Sequence, residues 1–296
     1  MKVLIFGATG MLGSTLFRSL SNDNTLQVYG TVRSRESLQY FTDVQQKRIM
    51  ADVVAENQTS LLKAYLKIQP DVVINCIGII KQLPEAKDHL KAISINAQLP
   101  HQLSELCQLS QSRFLHISTD CVFSGKKGNY SEDDFADADD VYGRSKFLGE
   151  VSTSHALTLR TSIIGHELAS NRSLIGWFLA QKNEVKGFSK AIFSGLPSIE
   201  LSNIIQDILL NHPKLSGLYH VAALPINKYE LLQLVAQTYN KSINIIKDDS
   251  FIIDRSLNAT RFNQATGYKA PPWAEFIKRM HHFHTGKQSI KETVVS

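Results

Sequence analysis

The stretch Lys2-Val3-Leu4-Ile5-Phe6-Gly7-Ala8-Thr9-Gly10-Met11-Leu12-Gly13 decides how the rest of the chain is read. Its apolar run stops at a glycine, after which Met11, Leu12, Leu16, Phe17 and Leu20 recur at helical spacing. The pattern is a buried strand, a turn and a helix. Glycines at 7, 10 and 13 permit a tight turn, a close approach of backbone to a pyrophosphate, and close packing of helix on strand. The helix N-terminus beyond them faces the anion. Gly7, Thr9, Gly10, Met11, Leu12 and Gly13 are therefore expected to hold a dinucleotide.

The same rhythm continues downstream. Leu26 to Val32 and Arg48 to Ala51 read as strands, Leu61 to Ile68 as a helix, and Asp71 to Cys76 as a fully buried strand. A helix from about Leu90 to Leu109 leads to a strand at Arg113 to Ser118, a helix from about Val141 and a strand at Ala156 to Arg160. Continuously apolar strands alternating with helices predict an α/β fold, a Rossmann-type doubly wound parallel sheet covered on both faces. After Arg160 the rhythm breaks into glycine-containing connections, then resumes with a helix at Asn203 to Leu210 and a strand at Gly217 to Val221. This predicts a cofactor-binding domain over 1–162 plus about 203–223. A smaller discontinuous C-terminal lobe for substrate is expected over about 163–202 plus 224–285, with a flexible tail at 286–296.

Composition narrows the function. The 296 residues are 43% hydrophobic and 20% charged, enough for a buried core, and the chain is expected to be an ordinary globular protein. The longest nearly uninterrupted apolar run, Val72 to Ile80, is under half of the roughly 20 residues that cross a bilayer, so no membrane association is expected. The net charge of +5 is spread along the chain without basic blocks interleaved with aromatics. An anionic small ligand explains it as well as nucleic acid, and no nucleic-acid partner is assigned. Cys76, Cys107 and Cys121 are an odd set without ligand spacing, which fits a reducing, cytoplasmic compartment. Glycines interrupt the apolar N-terminus before any small-residue cleavage site, so it reads as a cytoplasmic start. No metal is assigned: the six acids between Glu132 and Asp140 read as a solvated face, and His281, His282 and His284 have no carboxylate or cysteine at ligand spacing. Trp177 and Phe178, on an amphipathic helix, are expected in the core.

The second strand ends Thr31-Val32-Arg33-Ser34-Arg35 without the acid that would bind a ribose 2′-hydroxyl. Arg33 can pair with a 2′-phosphate, so NADP(H) is preferred over NAD(H). Asp52, with Val53 beside it past the third strand, can accept from the adenine amino group. Tyr142-Gly143-Arg144-Ser145-Lys146 puts a phenol and an ammonium on one helix face, where the cation is expected to lower the phenol's pKa and make Tyr142 a proton donor. The motif follows a strand ending Ser118-Thr119-Asp120, and doubly wound sheets place their sites at such strand ends.

Together these residues resemble the extended short-chain dehydrogenase/reductases. The likeness runs through the glycine loop, Asn75-Cys76-Ile77-Gly78, Asn96, Ser118-Thr119-Asp120-Cys121-Val122-Phe123-Ser124-Gly125 and Tyr142 to Glu150. Ser-Thr-Asp-x-Val-Phe-x-Gly is most similar to the dTDP-4-dehydrorhamnose reductase group. Leu159-Arg160-Thr161-Ser162 and Arg255-Ser256-Leu257-Asn258 also look like that group's later segments. The resemblance implies an NADPH-dependent reductase of a nucleotide-activated 4-keto-6-deoxysugar, serving surface-polysaccharide synthesis. It implies that Tyr142 protonates the ketone oxygen and Thr119 hydrogen-bonds it. Asp120 would orient the site, and Lys146 would bind the nicotinamide ribose and depress the tyrosine's pKa. Cys76, Ile77 and Gly78 would line the cofactor. Asn96 would support a relay water, its alternative being a structural amide. Cys121, Val122, Ser162 and His166 would meet the nucleotide-sugar substrate, and Arg255 falls where the second lobe would meet its diphosphate, an exposed arginine being the alternative. Members of the group often dimerise, which leaves a homodimer as an open expectation.

Cys121 departs from the group's usual aromatic, and Ile163-Ile164-Gly165-His166 departs from its aromatic-containing stretch. A cysteine here resembles the acid/base cysteine of GDP-fucose synthase, with His166 as a second proton carrier. A pocket-filling Cys121 and a non-catalytic His166 are the alternative. An epimerase, dehydratase or epimerase-reductase of a nucleotide sugar stays open, as does a non-catalytic NADP-binding regulatory subunit.

Overall fold

The structure, a computed structural model, describes residues 1–81 and 88–292, with side chains as far as 286. Its first half runs β1 (Lys2–Phe6), α1 (Met11–Leu20), β2 (Gln27–Thr31), α2 (Asp43–Gln46), β3 (Ile49–Met50), α3 (Gln58–Ile68), β4 (Val72–Asn75), α4 (His89–Ala92), α5 (Leu99–Leu109), β5 (Arg113–Thr119), α6 (Val141–Leu148) and β6 (Ala156–Thr161). There follow β7 (Ile163–Ile164), α7 (Leu174–Ala180), β8 (Glu184–Phe188), β9 (Ala191–Phe193), β10 (Leu196–Pro197), α8 (Ser198–Asn211) and β11 (Gly217–His220). The chain closes with β12 (Ile226–Asn227), α9 (Lys228–Thr238), β13 (Asn244–Asp248), β14 (Ile253–Asp254), α10 (Thr260–Thr266) and α11 (Trp273–Glu292).

Seven parallel strands form one sheet in the order β3-β2-β1-β4-β5-β6-β11. This is the doubly wound fold that the strand and helix alternation predicts. β1 shows why it forms: Val3 and Ile5 enter one apolar cluster with Leu16 and Phe17 of α1 and Ile205 of α8, while Leu4 and Phe6 enter another with Leu61 of α3 and Leu103 of α5. A strand buried on both faces needs apolar residues at every position, and each such side chain contributes about 1.5–3 kcal/mol. The chain winds away from β1 in both directions, so the C-terminal ends of β1 and β4 flank the switch point where ligands bind in such sheets.

The second lobe pairs β8 with β13 in parallel, and sets β9 between antiparallel β12 and parallel β14. Its core is continuous with the α1 side of the large sheet, since Phe193, Leu231, Val235, Phe262 and Phe276 share that cluster. β7 and β10 pair in parallel and tie the chain's exit from the sheet to its return.

Four details differ from the sequence pattern. The helix expected over 90–109 is interrupted by a π-helical turn at Ile93–Gln98. α8 begins at Ser198 rather than Asn203, because its first turns bury the polar Ser198, Glu200 and Ser202 in alternation with Ile199 and Leu201 and so show no helical apolar period. Glu200 is satisfied there by Arg279 at 2.9 Å and Tyr268 at 3.1 Å. α11 continues to Glu292, past the start of the expected tail, and 293–296 lie outside the described residues. Phe178 is fully buried, but Trp177, its neighbour on α7, is 39% exposed: adjacent helical positions face about 100° apart, and only one of these two meets the core. Among the described residues no helix is long and apolar enough to cross a membrane.

Candidate active site

The glycine loop is shaped by backbone contact. Gly7 turns with φ +86°, a left-handed conformation that favours glycine. A Cβ at Gly13 would stand 2.1 Å from the Gly7 carbonyl oxygen, and one on Gly7 would meet Ile77 at 3.0 Å. No side chain caps the first turn of α1, and no acid lies in it, so its N–H groups face outward from a cradle with room for backbone only. This fits a pyrophosphate carried by a dinucleotide.

Next to the cradle, Arg33 is exposed just beyond β2. Arg35 rather than Arg33 engages Asp52, at 2.8 Å across the surface, so Asp52 already has a partner. Val53 is buried and its N–H donates to the Val32 carbonyl, closing the strand ends together.

Past β4, Cys76, Ile77 and Gly78 lie between the glycine loop and α6. A Cβ on Gly7 would touch Cys76, and one on Gly78 would lie 3.4 Å from Asn96 Oδ1 and 4.0 Å from Lys146 Nζ. Burial pushes the Cys76 thiol up to about 12, so it stays protonated at neutral pH. Asn96 comes from the π-turn. Its Oδ1 accepts from Ile79 N at 2.9 Å, while Nδ2 donates to Ile79 O and to Ser145 Oγ, both at 3.2 Å. That amide fastens the loop after β4 to α6, a structural duty carried out beside the lysine. The carbonyl of Asn96 also lies against Gly149, where a Cβ would stand 2.0 Å away.

The end of β5 carries Thr119, buried, whose Oγ1 donates to Asp120 Oδ1 at 3.2 Å and accepts from Cys121 N at 3.1 Å. Asp120 is buried too, and burial pushes its carboxyl up against the opposing pull of Arg255 and Lys228. α6 is aimed at this strand end by Asp140, which caps it by accepting from Gly143 N at 2.7 Å and pairs with Lys81 at 2.6 Å. Other acids of that run are engaged as well: Glu132 accepts from His220 N, Asp133 pairs with Arg261, and Asp137 accepts from Ser124 N.

Tyr142 and Lys146 share a face of α6, as their spacing requires, but the phenol is not lowered. Burial, reinforced by Cys121, Asp120 and Asp140, pushes it up, and a hydrogen bond with Thr119 only partly opposes this. Lys146 is itself pushed down to about 8 by burial, with Glu150 opposing, and its ammonium donates to the Ile117 carbonyl at 2.7 Å. The tyrosine is thus firmly protonated, which is the state a proton donor needs.

Beneath α6 Glu150 and Arg160 form a bidentate pair, with both contacts at 2.7 Å, and Ser118 donates to Glu150 Oε1 at 2.6 Å. The pair joins α6, β5 and β6. The sequence signalled it only as a Gly-Glu at the helix end.

From the second lobe, Arg255 Nε donates to Phe123 O at 2.9 Å and Nη1 lies 3.7 Å from Cys121 Sγ. Burial and the charge of Asp120 push that thiol up to about 12. Sequence reasoning missed Lys228, the first residue of α9, whose ammonium acts on Asp120, Cys121 and Arg255. No periodicity or motif could signal it, because the charges it acts on lie on elements far along the chain.

Three other residues expected to meet the substrate are engaged within the protein. Val122 is fully buried in an apolar cluster with Phe123, Tyr130, Ala222 and Leu257. His166 is hydrogen-bonded to Tyr239 at 2.8 Å and stacked on His284 at 3.5 Å, so it is drawn to the α9 and α11 side. Ser162, between β6 and β7, accepts from Leu196 N of β10 at 2.8 Å.

A glycine cradle at the switch point of a parallel sheet, with a Tyr-x-x-x-Lys helix beside a threonine-ended strand, defines the extended short-chain dehydrogenase/reductase class. Within it the chain belongs to the family described as RmlD substrate binding domain, which it matches over residues 1–283. The chain is 29% identical over 227 residues to the spore coat polysaccharide biosynthesis protein SpsK of Bacillus subtilis (strain 168), covering 75% of this chain and 73% of the relative. It is 24% identical over 307 residues to a dTDP-4-dehydrorhamnose reductase of Aggregatibacter actinomycetemcomitans, covering 95% and 99%. Its fold matches the crystal structure of dTDP-4-dehydrorhamnose reductase from Bacillus anthracis str. Ames in complex with NADP. The TM-score is 0.77 at 22% identity, over 95% of this chain and 98% of that one.

Proposed function

We propose that the protein is an NADP(H)-dependent reductase of the ketone in a nucleotide-activated 4-keto-6-deoxysugar, supplying a surface-polysaccharide precursor. The observation that carries this reading is the convergence of Thr119, Tyr142 and Lys146 at the end of β5, beside the glycine cradle. The relatives' names point the same way.

Gly7, Thr9, Gly10, Met11, Leu12 and Gly13 would hold the cofactor's pyrophosphate, Arg33 its 2′-phosphate, and Cys76, Ile77, Gly78 and Lys146 its nicotinamide end. When bound, that cofactor supplies a hydride to the ketone carbon. Tyr142 holds the proton that the ketone oxygen receives, and Thr119 donates a second hydrogen bond that polarises the carbonyl. Lys146, cationic over much of the neutral range with a pKa of about 8, favours the phenolate left after proton transfer. Asp120, Cys121 and Arg255 orient the sugar from the opposite side. The Cys121 thiol, protonated at neutral pH, is not available there as a thiolate base.

In this reading residues 1–162 with about 203–223 bind the cofactor, and the second lobe binds the nucleotide sugar. The reading also places the enzyme in the cytoplasm, where its sugar nucleotide is made, and as a homodimer. Leu90, Ile93, Phe147 and Leu148, exposed on neighbouring turns around α4 and α6, provide an apolar face for one. The test is NADPH oxidation across dTDP-, UDP- and GDP-linked 4-keto-6-deoxysugars, with Tyr142→Phe in parallel. Turnover of one substrate that Tyr142→Phe abolishes, with NADP⁺ affinity kept, is the expected result. Full activity in Tyr142→Phe would overturn the assignment.

A further inference from the structure

A buried imidazole that no step of the reaction uses stands beside the end of β4. His116 of β5 lies opposite Asn75, the last residue of β4, across the parallel ladder, and both are buried. Asn75 Oδ1 accepts from Ile77 N at 3.1 Å, which turns the amide nitrogen toward His116, and Asn75 Nδ2 and His116 Nδ1 stand 3.3 Å apart. A carboxamide nitrogen only donates, so His116 Nδ1 accepts and the ring proton sits on Nε2. Burial, joined by the charges of Lys146 and His101, holds the imidazole well below its ordinary pKa, in the neutral form that this hydrogen bond needs.

The other ring nitrogen does no such work. Nε2 is buried and has no hydrogen-bond partner among the described residues. An N–H stripped of water and left unpaired is destabilising, so the polar contribution of the ring comes through Nδ1. What Nδ1 steadies is a loop. Ile77, held by Asn75, packs against the glycine cradle, where a Cβ on Gly7 would meet its side chain at 3.0 Å. Gly78 follows, and a Cβ there would lie 4.0 Å from Lys146 Nζ. That ammonium in turn donates to the carbonyl of Ile117, the residue after His116, at 2.7 Å. The contacts close a ring from His116 through Asn75, Ile77, Gly78 and Lys146 back to β5. Without an acceptor at position 116 the Asn75 NH₂ would be buried and unpaired, which favours its leaving this pose, and Ile77 N would lose its acceptor with it.

We propose that His116, acting through Asn75, is a positioning residue that sets the Cys76, Ile77 and Gly78 loop against Lys146 and so shapes the seat of the cofactor's nicotinamide half. This rests on the reading of that loop as the nicotinamide end of the cofactor site.

The experiment measures binding of NADP⁺, and of adenosine 2′,5′-bisphosphate, which lacks the nicotinamide half, to wild type, His116→Leu and His116→Asn. Leucine fills the space but offers no acceptor. Asparagine leaves more of the space empty but can put its amide oxygen where Nδ1 stands. A packing role makes asparagine the worse substitute, and the positioning role makes leucine the worse one. His116→Leu should weaken NADP⁺ about 3- to 10-fold, the worth of one hydrogen bond, and His116→Asn should recover most of the loss. Adenosine 2′,5′-bisphosphate should bind all three proteins alike, which also shows that they are folded. Nitrogen NMR of the NADP⁺-loaded wild type should find His116 neutral with its proton on Nε2. Equal NADP⁺ affinity in wild type and His116→Leu overturns the proposal, as do a larger loss in His116→Asn than in His116→Leu, an equal loss for both ligands, and a ring protonated at Nδ1. If His116→Leu does not fold, a His116→Asn protein that binds adenosine 2′,5′-bisphosphate normally but NADP⁺ weakly overturns it, and one that binds both normally supports it. A wild type that binds neither ligand brings down the cofactor reading itself and this inference with it.

Discussion

Replacing Glu150 by glutamine keeps the side chain's shape, removes its charge and leaves Arg160 buried without a counter-ion. The two side chains are only 9% and 3% exposed, and the carboxylate accepts from Arg160 twice and from Ser118 once. Glutamine offers one acceptor oxygen to these three donors, and its NH₂ opposes the rest. Arg160 has the Phe123 ring at 5.3 Å and His220 Nε2 at 3.3 Å, neither of which can neutralise it. Breaking one side of such a pair costs about 3–5 kcal/mol, a large part of the roughly 5–15 kcal/mol that keeps a domain folded. Urea unfolding should show a correspondingly lower midpoint with an unchanged slope. The double variant Glu150→Gln, Arg160→Met should recover part of the loss, because no buried charge is then left uncompensated. Glu150 also holds the Lys146 pKa up, so in the single variant it should fall below about 8 and the alkaline limb of kcat/KM should move to lower pH. A loss under about 1 kcal/mol, the value of an exposed pair, would refute the burial argument.

Arg33→Ala should weaken NADP(H) about 10- to 100-fold while leaving NAD(H) nearly unchanged, since only the former offers a 2′-phosphate. Fluorescence titration of both cofactors checks this, and an equal loss for the two would remove Arg33 from 2′-recognition. His220 is pushed down to about 3 by burial and by Arg160, and His116 is lowered by burial in the same direction. The unfolded chain, with histidines near 6.5, therefore binds these protons first as pH falls. The stability they contribute is fully present above about pH 6.5 and is lost toward pH 3, at up to about 1.4 kcal/mol per pH unit for each group. Urea midpoints at pH 7, 6 and 5 should decline steadily, and a flat series would contradict the burial of these rings in neutral form.

The cofactor half was legible because its signals are local. A strand buried on both faces must be apolar throughout, and a loop in which a Cβ at Gly13 would stand 2.1 Å from the Gly7 carbonyl oxygen must place glycine there. Tyr142 and Lys146 are one helical turn apart, so their shared face follows from spacing alone. Where polar residues are buried the pattern fails: Ser198, Glu200 and Ser202 hide the first turns of α8 because Thr15, Tyr268 and Arg279 satisfy some of them from distant elements. His166 shows the same limit, since Tyr239 and His284, far along the chain, draw it to the α9 and α11 side.

Sequence by itself determined the parallel sheet, the glycine cradle and the helix face that Tyr142 and Lys146 share, because hydrophobic period, backbone clearance and helical spacing act over a few residues. Only the tertiary structure decided the electrostatics. Burial by residues far along the chain raises Tyr142 and lowers Lys146, contrary to what the pair would do in water. It also carried Lys228 and Arg255 across from the second lobe to Asp120. A charge's effect depends on its distance and on the water between, and both are set by packing rather than by position in the chain.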